Sequence, residues 1–546
     1  MKAQTSRTKP PRNIGLVFQH FASAVRPVWH LDRPFDIAPD SGVRFTVAGL
    51  ATLVEQTSAA LWEAGLRSGD RLAIVKDNHL DVVLLSAAAA RIGALPAMTS
   101  CTIEPELLRR MMERLEPRLL VASPAVLAAA EKAGVELTGP GARVLVAGAG
   151  SDCSAALDRT VTTVAELLDA DVPAARPVAD DRPMICTHTS GTTGVPKYVV
   201  HSATTLLGVL TKLETMKIPF LSIRPSDTVA SCISFVHGRA ITWAAAQLAR
   251  PPGEVVVLAE STPDTVAATL RRHPPTTLEA CPNIFQRWEG LARTDPDVFA
   301  PCRAFINTFD AIHPRTVRTF LDVSRHRMPV WGQVWGQTEV GPVCMGLYTR
   351  GRVNRSRGSR RAVTSDVGRS IPFLTGVKVV DPQTRRDVPR GTEGIVLVRT
   401  AGRCLTYLGE DDRHREKVWD GWWNTGDIGV QTRGGMLRII DREVDVIPGV
   451  SGIELESVLL ERLPDTTEVI VLGLPGRPPV PVLSTTDGTL DPGAWRRATA
   501  DLPQLDDPVL IGWEDFPRTG TWKVRRPMLR ERLFGTTETF GTGRWT

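Results

Sequence analysis

Residues Thr187 to Lys197 read THTSGTTGVPK, with two glycines, five hydroxyl side chains and one lysine in eleven positions. They follow a short apolar run, PMIC (Pro183 to Cys186), so the stretch reads as a loop leaving the end of a strand. Glycines let backbone N–H groups approach an anion. Ser190, Thr192 and Thr193 add hydroxyl donors, and Lys197 adds charge. This is the chemistry of phosphate binding. The GxxxxGK(S/T) nucleotide loop does not fit, because counting from Gly191 places Pro196 where its second glycine belongs. There is no GxGxxG pattern either.

The flanking chain alternates strands and helices. VAGLATLVEQTSAALWEAG has apolar spacings of three and four and ends at Gly65, a helix with a glycine C-cap. DRLAIVK reads as a strand and LDVVLLSAAAARIGA as a small-residue helix. RLLVAS, VVVLAE and PVWGQVWG continue the pattern. Such alternation predicts an α/β fold with buried sheets. From about Val363 the texture changes to short β-rich runs broken by Pro and Gly, a small β-subdomain. MLRIIDREVDVI leads into a last segment that begins with a helix (Glu454 to Arg462) and a strand (Glu468 to Leu472), a small α+β unit. The expected division is therefore 1–441 and 442–546. Residues Arg350 to Arg361, RGRVNRSRGSRR, carry six arginines and two glycines and read as an exposed, mobile loop.

Composition narrows the function classes. The 546 residues carry 42% hydrophobic and 23% charged side chains, an ordinary globular balance sufficient for more than one domain. A net charge of +5 is too small for this length to imply nucleic acid. Eight cysteines are scattered without a Cys-x-x-Cys pair, which argues against a zinc site and a disulfide scaffold and points to a reducing cytoplasm. No apolar run follows the basic N-terminus, and no stretch of about 20 apolar residues predicts a membrane span.

TSGTTGVPK resembles the phosphate loop of the adenylate-forming superfamily, which includes acyl-CoA synthetases, firefly luciferase and nonribosomal adenylation domains. Further motifs resemble that family's in the same order: WGQTE (Trp335 to Glu339), WWNTGDIG (Trp422 to Gly429), the hinge DREVD (Asp441 to Asp445), and PRTGTWKVRR (Pro517 to Arg526) with its C-terminal lysine. The resemblance runs from FTVAGLATL near the start to RERLF near the end. It implies that ATP activates an acid as an acyl-adenylate with loss of pyrophosphate. Thr189, Ser190, Gly191, Thr192, Thr193, Gly194 and Lys197 would then hold the β- and γ-phosphates. Thr338 would contact the α-phosphate and Glu339 would hold Mg²⁺, a hard cation suited to carboxylate and phosphate oxygens. Asp427 would bind the ribose hydroxyls, with Arg442 beside it. Lys523 would bridge the acid and the α-phosphate, where charge develops. Trp335, Gly336 and Gly341 belong to the same nucleotide and acid site by resemblance. His237, in SFVHGRA, stands where the family has a pocket histidine or aromatic. Phe309 and Asp310, in NTFDAIHP, replace the small residues that lie along adenine, so Phe309 could stack on the base or wall off the acid, and Asp310 could accept the adenine amino group.

Three departures bear on the acceptor. DVIPGVSGIELE reaches Glu454 and Glu456 about four residues early, so the hairpin that lines the family's thiol channel would be shorter by about 7 Å at roughly 3.3 Å per residue. Val444 holds a hinge position usually Asp or Lys, and Trp522 precedes Lys523 where the family has Gly. Adenylation followed by transfer to CoA or another thiol is the leading expectation. Transfer to an amine, or activation of nitrite to diazotise an aryl amine, is the alternative raised by these departures. A nucleotide-binding protein without catalysis is the alternative of another class, against which the retention of Thr338, Glu339 and Lys523 speaks.

Overall fold

The computed structural model describes residues 9–148, 161–189, 195–218, 220–357 and 361–540. The apolar runs become strands of a fourteen-stranded sheet and a seven-stranded sheet. In the larger one, Val28–Leu31, Glu254–Val257, Thr228–Cys232, Thr277–Ala280, Ala304–Asn307 and Val330–Gln337 pair side by side in parallel. Helices cover these strands, and so they read as nearly continuous apolar runs. Pairing then turns antiparallel through Gly341–Tyr348, Asp366–Ser370, Leu437–Arg442, Trp422–Gln431, Glu393–Thr400 and Thr375–Val380, the β-rich region expected from its Pro and Gly punctuation.

The seven-stranded sheet carries the loop with which the sequence reading began. Pro183–His188 and Tyr198–Ser202 are its antiparallel stem, and Leu95–Ser100 and Arg71–Lys76 lie next in line. One hydrophobic core joins the two sheets through the helices Val47–Glu63, Asp81–Arg91 and Gly238–Ala249. The middle helix is buried on every side from Asp81 to Ala90, and its run of alanines lets both layers approach it closely. No helix among the described residues is long and apolar enough to cross a membrane.

After Arg442 the chain forms a three-stranded sheet, Thr466–Leu472, Val480–Thr485 and Val509–Leu510, with helices Gly452–Arg462, Pro492–Thr499 and Arg526–Phe534. It is docked by polar contacts. Arg315, in the helix Pro314–Val323, donates to the carbonyls of Leu460 (2.8 Å), Leu463 (3.3 Å) and Thr466 (2.8 Å). The first two are orphan acceptors at the end of the Gly452–Arg462 helix, where a cation is favoured, and the third opens the next strand. Asn283 donates to Glu468 at 2.9 Å, and His313 Nδ1 lies 2.8 Å from Ser457 Oγ.

The basic stretch departs from its reading as a loop. Arg350–Arg355 is a short helix capped by Thr349, with Val353 buried. Arg350 donates Nε–H to the Leu321 carbonyl at 2.8 Å and also bonds the carbonyls of Ser324 and His326. Arg352 lies 4.6 Å from the Tyr348 ring centroid. The arginines here satisfy carbonyls of the neighbouring chain, which charge density alone does not reveal. Residues 358–360 of that stretch lie outside the described residues.

One charged cluster ties the first layer together. Lys76 is fully buried, with Nζ 2.6 Å from Asp36 and 2.7 Å from Asp81. Asp81 also accepts the N–H groups of Asp36 (2.8 Å) and Ile37 (3.2 Å). Burial opposes the lysine's charge, but the two carboxylates outweigh it and raise its pKa. Lys76→Met keeps most of the volume and removes the buried cation that both carboxylates share, leaving Asp36 to Arg33 and Asp81 to two backbone N–H groups. It is expected to cost about 3–5 kcal/mol of stability, read as a lower urea midpoint with an unchanged slope.

Candidate active site

The described residues singled out from the motifs border one cavity of about 710 Å³, which opens where the two large sheets and the C-terminal segment meet. Ser190, Gly191, Thr192, Thr193 and Gly194 lie outside the described residues. The loop's stem is defined: Thr189 N–H donates to the Lys197 carbonyl (3.0 Å), and Lys197 N–H donates to Thr189 Oγ1 (3.1 Å). Lys197 Nζ sits 4.9 Å from the Tyr407 ring centroid, and burial followed by the nearby Arg413 lowers its pKa. The Tyr407 hydroxyl donates to Glu339 Oε1 at 2.7 Å, which orients this buried carboxylate and leaves its other oxygen uncommitted to that bond.

Trp335, Gly336, Thr338, Glu339 and Gly341 lie at the tip of the antiparallel pair Val330–Gln337 and Gly341–Tyr348. The pairing register shifts there, between Trp335 and Gly336. A Cβ at Gly336 would stand 2.0 Å from the Gly341 carbonyl oxygen, so the close approach requires glycine. Two histidines hold Thr338. His201 Nε2–H donates to its carbonyl (2.9 Å), and His237 Nε2 lies 3.2 Å from its Oγ1. His237 Nδ1 accepts the Arg239 N–H at 3.1 Å and so caps the helix Gly238–Ala249. With Nδ1 an acceptor, the imidazole proton sits on Nε2 and points at Thr338. Burial first, then the positive charge of Lys523, lower the His237 pKa to about 3.

Asp427 and Arg442 face each other in register on adjacent antiparallel strands, which puts both side chains on one face. Arg442 Nε lies 3.1 Å from Asp427 Oδ1, and the Asp427 charge raises the Arg442 pKa. Gln337 Nε2 donates to the other Asp427 oxygen (3.1 Å) and to the Thr425 carbonyl (2.8 Å). The carboxylate is thereby held rigid at the cavity wall.

Lys523 reaches the cavity from a tight turn. Thr519 N–H donates to the Lys523 carbonyl (2.8 Å), and Lys523 N–H donates to Thr519 Oγ1 (3.2 Å). Trp522 adopts φ 65°, the left-handed backbone that glycine takes at little cost. Its indole packs 5.7 Å from Trp513, whose ring is covered by Arg287 and Arg518. Gly520 lies so close to Ser100 that an added Cβ would stand 2.2 Å from its Oγ. At the hinge, Val444 is 41% exposed and borders the cavity. Beyond it one isolated bridge, Ile447 with Val450, closes a turn at Pro448 and Gly449 (φ 79°), and the helix begins at Gly452.

Beside Phe309 and Asp310, the cavity contains residues that the sequence did not mark. Arg239 gives Nε–H and Nη2–H to Glu279 at 2.8 and 2.6 Å and also pairs with Glu214. Burial raises the Glu214 pKa. Phe309 has φ 79° and meets His237 edge-on at 5.0 Å, while Asp310 Oδ1 accepts the Ala311 N–H at 2.9 Å. Thr308 Oγ1 lies 3.4 Å from Glu279.

A model of the AMP-binding enzyme family matches residues 26–408. The chain is 35% identical to 3-amino-2-hydroxy-4-methoxybenzoate diazotase of Streptomyces cremeus over 96% of each chain. It is 24% identical to 3-hydroxybenzoate--CoA ligase of Aromatoleum sp. (strain CIB), over 89% of this chain and 91% of that one. Among solved structures, ATP-bound MatB from Rhodopseudomonas palustris superimposes with a TM-score of 0.75 at 21% identity, covering 96% of this chain and 99% of that one.

His237 and His313 both have pKa values lowered to about 3, in each case chiefly by desolvation. Unfolded histidine binds a proton below about pH 6.5. The unfolded chain therefore takes up more protons than the folded one between pH 6.5 and 3, and stability falls as pH falls. Each such histidine is expected to contribute a slope of about 1.4 kcal/mol per pH unit. Asp441 and Glu456, raised by burial to about 8 and about 7, act in the opposite sense. The check is therefore differential: urea unfolding between pH 6 and 4 should show His237→Gln losing about that slope relative to the wild type, and equal slopes would contradict a neutral His237.

Proposed function

This chain belongs to the AMP-binding enzyme family, and we propose that it adenylates nitrite and passes the nitrosyl group to an aryl amine, an ATP-dependent diazotisation. The full-length likeness to the Streptomyces cremeus diazotase carries this reading. The single turn at Pro448 and Gly449, where a thiol channel would need a longer hairpin wall, agrees with it.

In the first step a nitrite oxygen attacks the α-phosphorus of ATP, the bond to the bridging oxygen breaks, and pyrophosphate leaves with the electron pair. Lys523 and Thr338 stand at the developing charge, with the neutral His237 orienting the threonine hydroxyl. Lys197 and the loop 190–194 hold the departing phosphates. Asp427 accepts from the ribose hydroxyls, Arg442 braces it, and Phe309, Asp310, Trp335 and Gly336 surround the base. The Glu339 carboxylate, fixed by Tyr407, is a hard oxygen donor suited to Mg²⁺, whose charge would offset that of the triphosphate. In the second step the amine nitrogen attacks the nitrosyl nitrogen, the N–O bond to AMP breaks, and AMP leaves with that electron pair while the amine loses a proton. The N-nitroso product tautomerises to the diazohydroxide, and with one proton it loses water to give the diazonium ion. Residues 442–546 act as the lid that carries Lys523, hinged near Val444. The unpaired state of the seven described cysteines suits a reducing cytoplasm.

A second reading, in which an organic acid is adenylated and passed to CoA or an amine, draws support from the size of the cavity. One assay separates them. With ATP and an aryl amine, nitrite should drive AMP and pyrophosphate release together with a diazo product trapped as an azo dye, and CoA should yield no thioester. Nitrite-independent turnover with a carboxylic acid and stoichiometric acyl-CoA would overturn the proposal. Lys523→Ala should lower the first half-reaction by roughly 10²–10³-fold with ATP binding largely kept. Asp427→Ala should instead weaken ATP binding by about 1.5–3 kcal/mol, measured by calorimetry.

A further inference from the structure

A second constellation lies away from the cavity, near the end of the larger sheet. The strands Val28–Leu31 and Glu254–Val257 pair in parallel with Val28 opposite Glu254. His30, two residues beyond Val28, therefore projects from the same face of the sheet as Glu254. His273 joins them from the C-terminal end of the helix Pro263–Arg272, where its N–H donates to the Thr269 carbonyl at 3.0 Å. None of the three borders the cavity. Among the described residues they are the one group of His, Cys, Asp or Glu side chains that gathers three ligand atoms within 4.8 Å of one another.

The spacing of these groups is that of ligands around an ion and not that of hydrogen-bonded partners. His30 Nε2 is 3.7 Å from Glu254 Oε1, and His273 Nδ1 is 3.8 Å from Glu254 Oε2. Both separations exceed hydrogen-bond reach. The carboxylate thus presents one oxygen to each ring across a gap, and the rings themselves stack with centroids 3.9 Å apart. Donor atoms bound to a tetrahedral ion stand roughly 3.4 Å apart, so each gap closes with a small movement. Glu254 and His273 have side chains 43% and 24% exposed, against 12% for His30, and they have room to make it. Two imidazoles and one carboxylate suit a borderline first-row ion, whereas Mg²⁺ and Ca²⁺ take oxygen donors. We propose that His30, Glu254 and His273 form a Zn²⁺ site, with water in the remaining coordination position. The ion would tie the strand Val28–Leu31 and the helix Pro263–Arg272 to the strand Glu254–Val257. Because only the folded chain brings the three together, binding stabilises that state by mass action.

The test uses the full-length chain without a polyhistidine tag, cleared of metal with a chelator and dialysed. The probes are Zn²⁺ and, as its spectroscopic substitute, Co²⁺. Equilibrium dialysis should find one tight Zn²⁺ per chain, with Tm rising to a plateau as that equivalent is filled. Co²⁺ at the same site should show the intense visible absorption of a four-coordinate ion, and excess Mg²⁺ should displace neither metal. His30→Gln and His273→Ala should each weaken Zn²⁺ by at least about 10²-fold and remove the Tm rise. His273→Ala, at a helix end, remains a check should His30→Gln fail to fold. Arg44 stands opposite His30 on the neighbouring antiparallel strand, and its charge opposes a cation there. Arg44→Ala should therefore tighten Zn²⁺ by about two- to fivefold, a change in the direction that misfolding does not produce. Absence of a saturable equivalent, or tight binding that the histidine variants leave unchanged, as Zn²⁺ held at Glu339 would be, would overturn the proposal.

Discussion

One imidazole joins the halves of this cavity. His237 accepts the Arg239 N–H, in the first turn of the Gly238–Ala249 helix, with Nδ1 and offers its Nε2–H to Thr338, on the turn between two antiparallel strands. The Nδ1 bond requires the neutral ring, and burial beside Lys523 keeps it neutral by lowering its pKa to about 3. The proton on Nε2 is thus set by the helix cap and not by the pH. Because the same helix continues into Arg239, Trp243 and Gln247, the position of Thr338 and the shape of the inner chamber are set by one rigid element.

Charge is arranged around that joint in opposite senses. The outer cavity has Lys197, Arg442 and Lys523 at its walls, with Asp427 and Glu339 held in place by Gln337 and Tyr407. The inner cavity has Glu214 and Glu279 around a single arginine. In a low-dielectric enclosure such fields are felt far more strongly than in water. A polyanion is favoured at the outer end, whereas at the inner end the charges are paired with one another.

The α/β alternation, the β-rich region and the small C-terminal unit were all legible as hydrophobic period and turn residues, because these are local properties of the chain. The strand and helix expected at 468–472 and 454–462 form with slightly earlier starts, at Thr466 and Gly452. The basic run at 350–361 misled because arginine density says nothing about which carbonyls lie nearby. Arg350 finds those of Leu321 and Ser324, more than twenty residues away, and a helix forms. Trp522 presents a similar case. Its position suggested bulk beside Lys523, whereas the left-handed backbone and the packing on Trp513 appear only in three dimensions.

The motifs alone picked out residues, from Lys197 to Lys523, that border one cavity. The sequence by itself thus determined the architecture and the adenylate-forming character of this protein. Glu214, Arg239, Glu279, Gln247 and Tyr407 carried no such signal. Each is ordinary in its own segment; the first four come together only when a helix, a short preceding helix and a parallel strand pack around one space, and Tyr407 meets Glu339 from a strand of the other sheet. What lies opposite the reacting centre was decided by tertiary structure, because the pairing of Arg239 with Glu214 and Glu279 belongs to the convergence of distant segments.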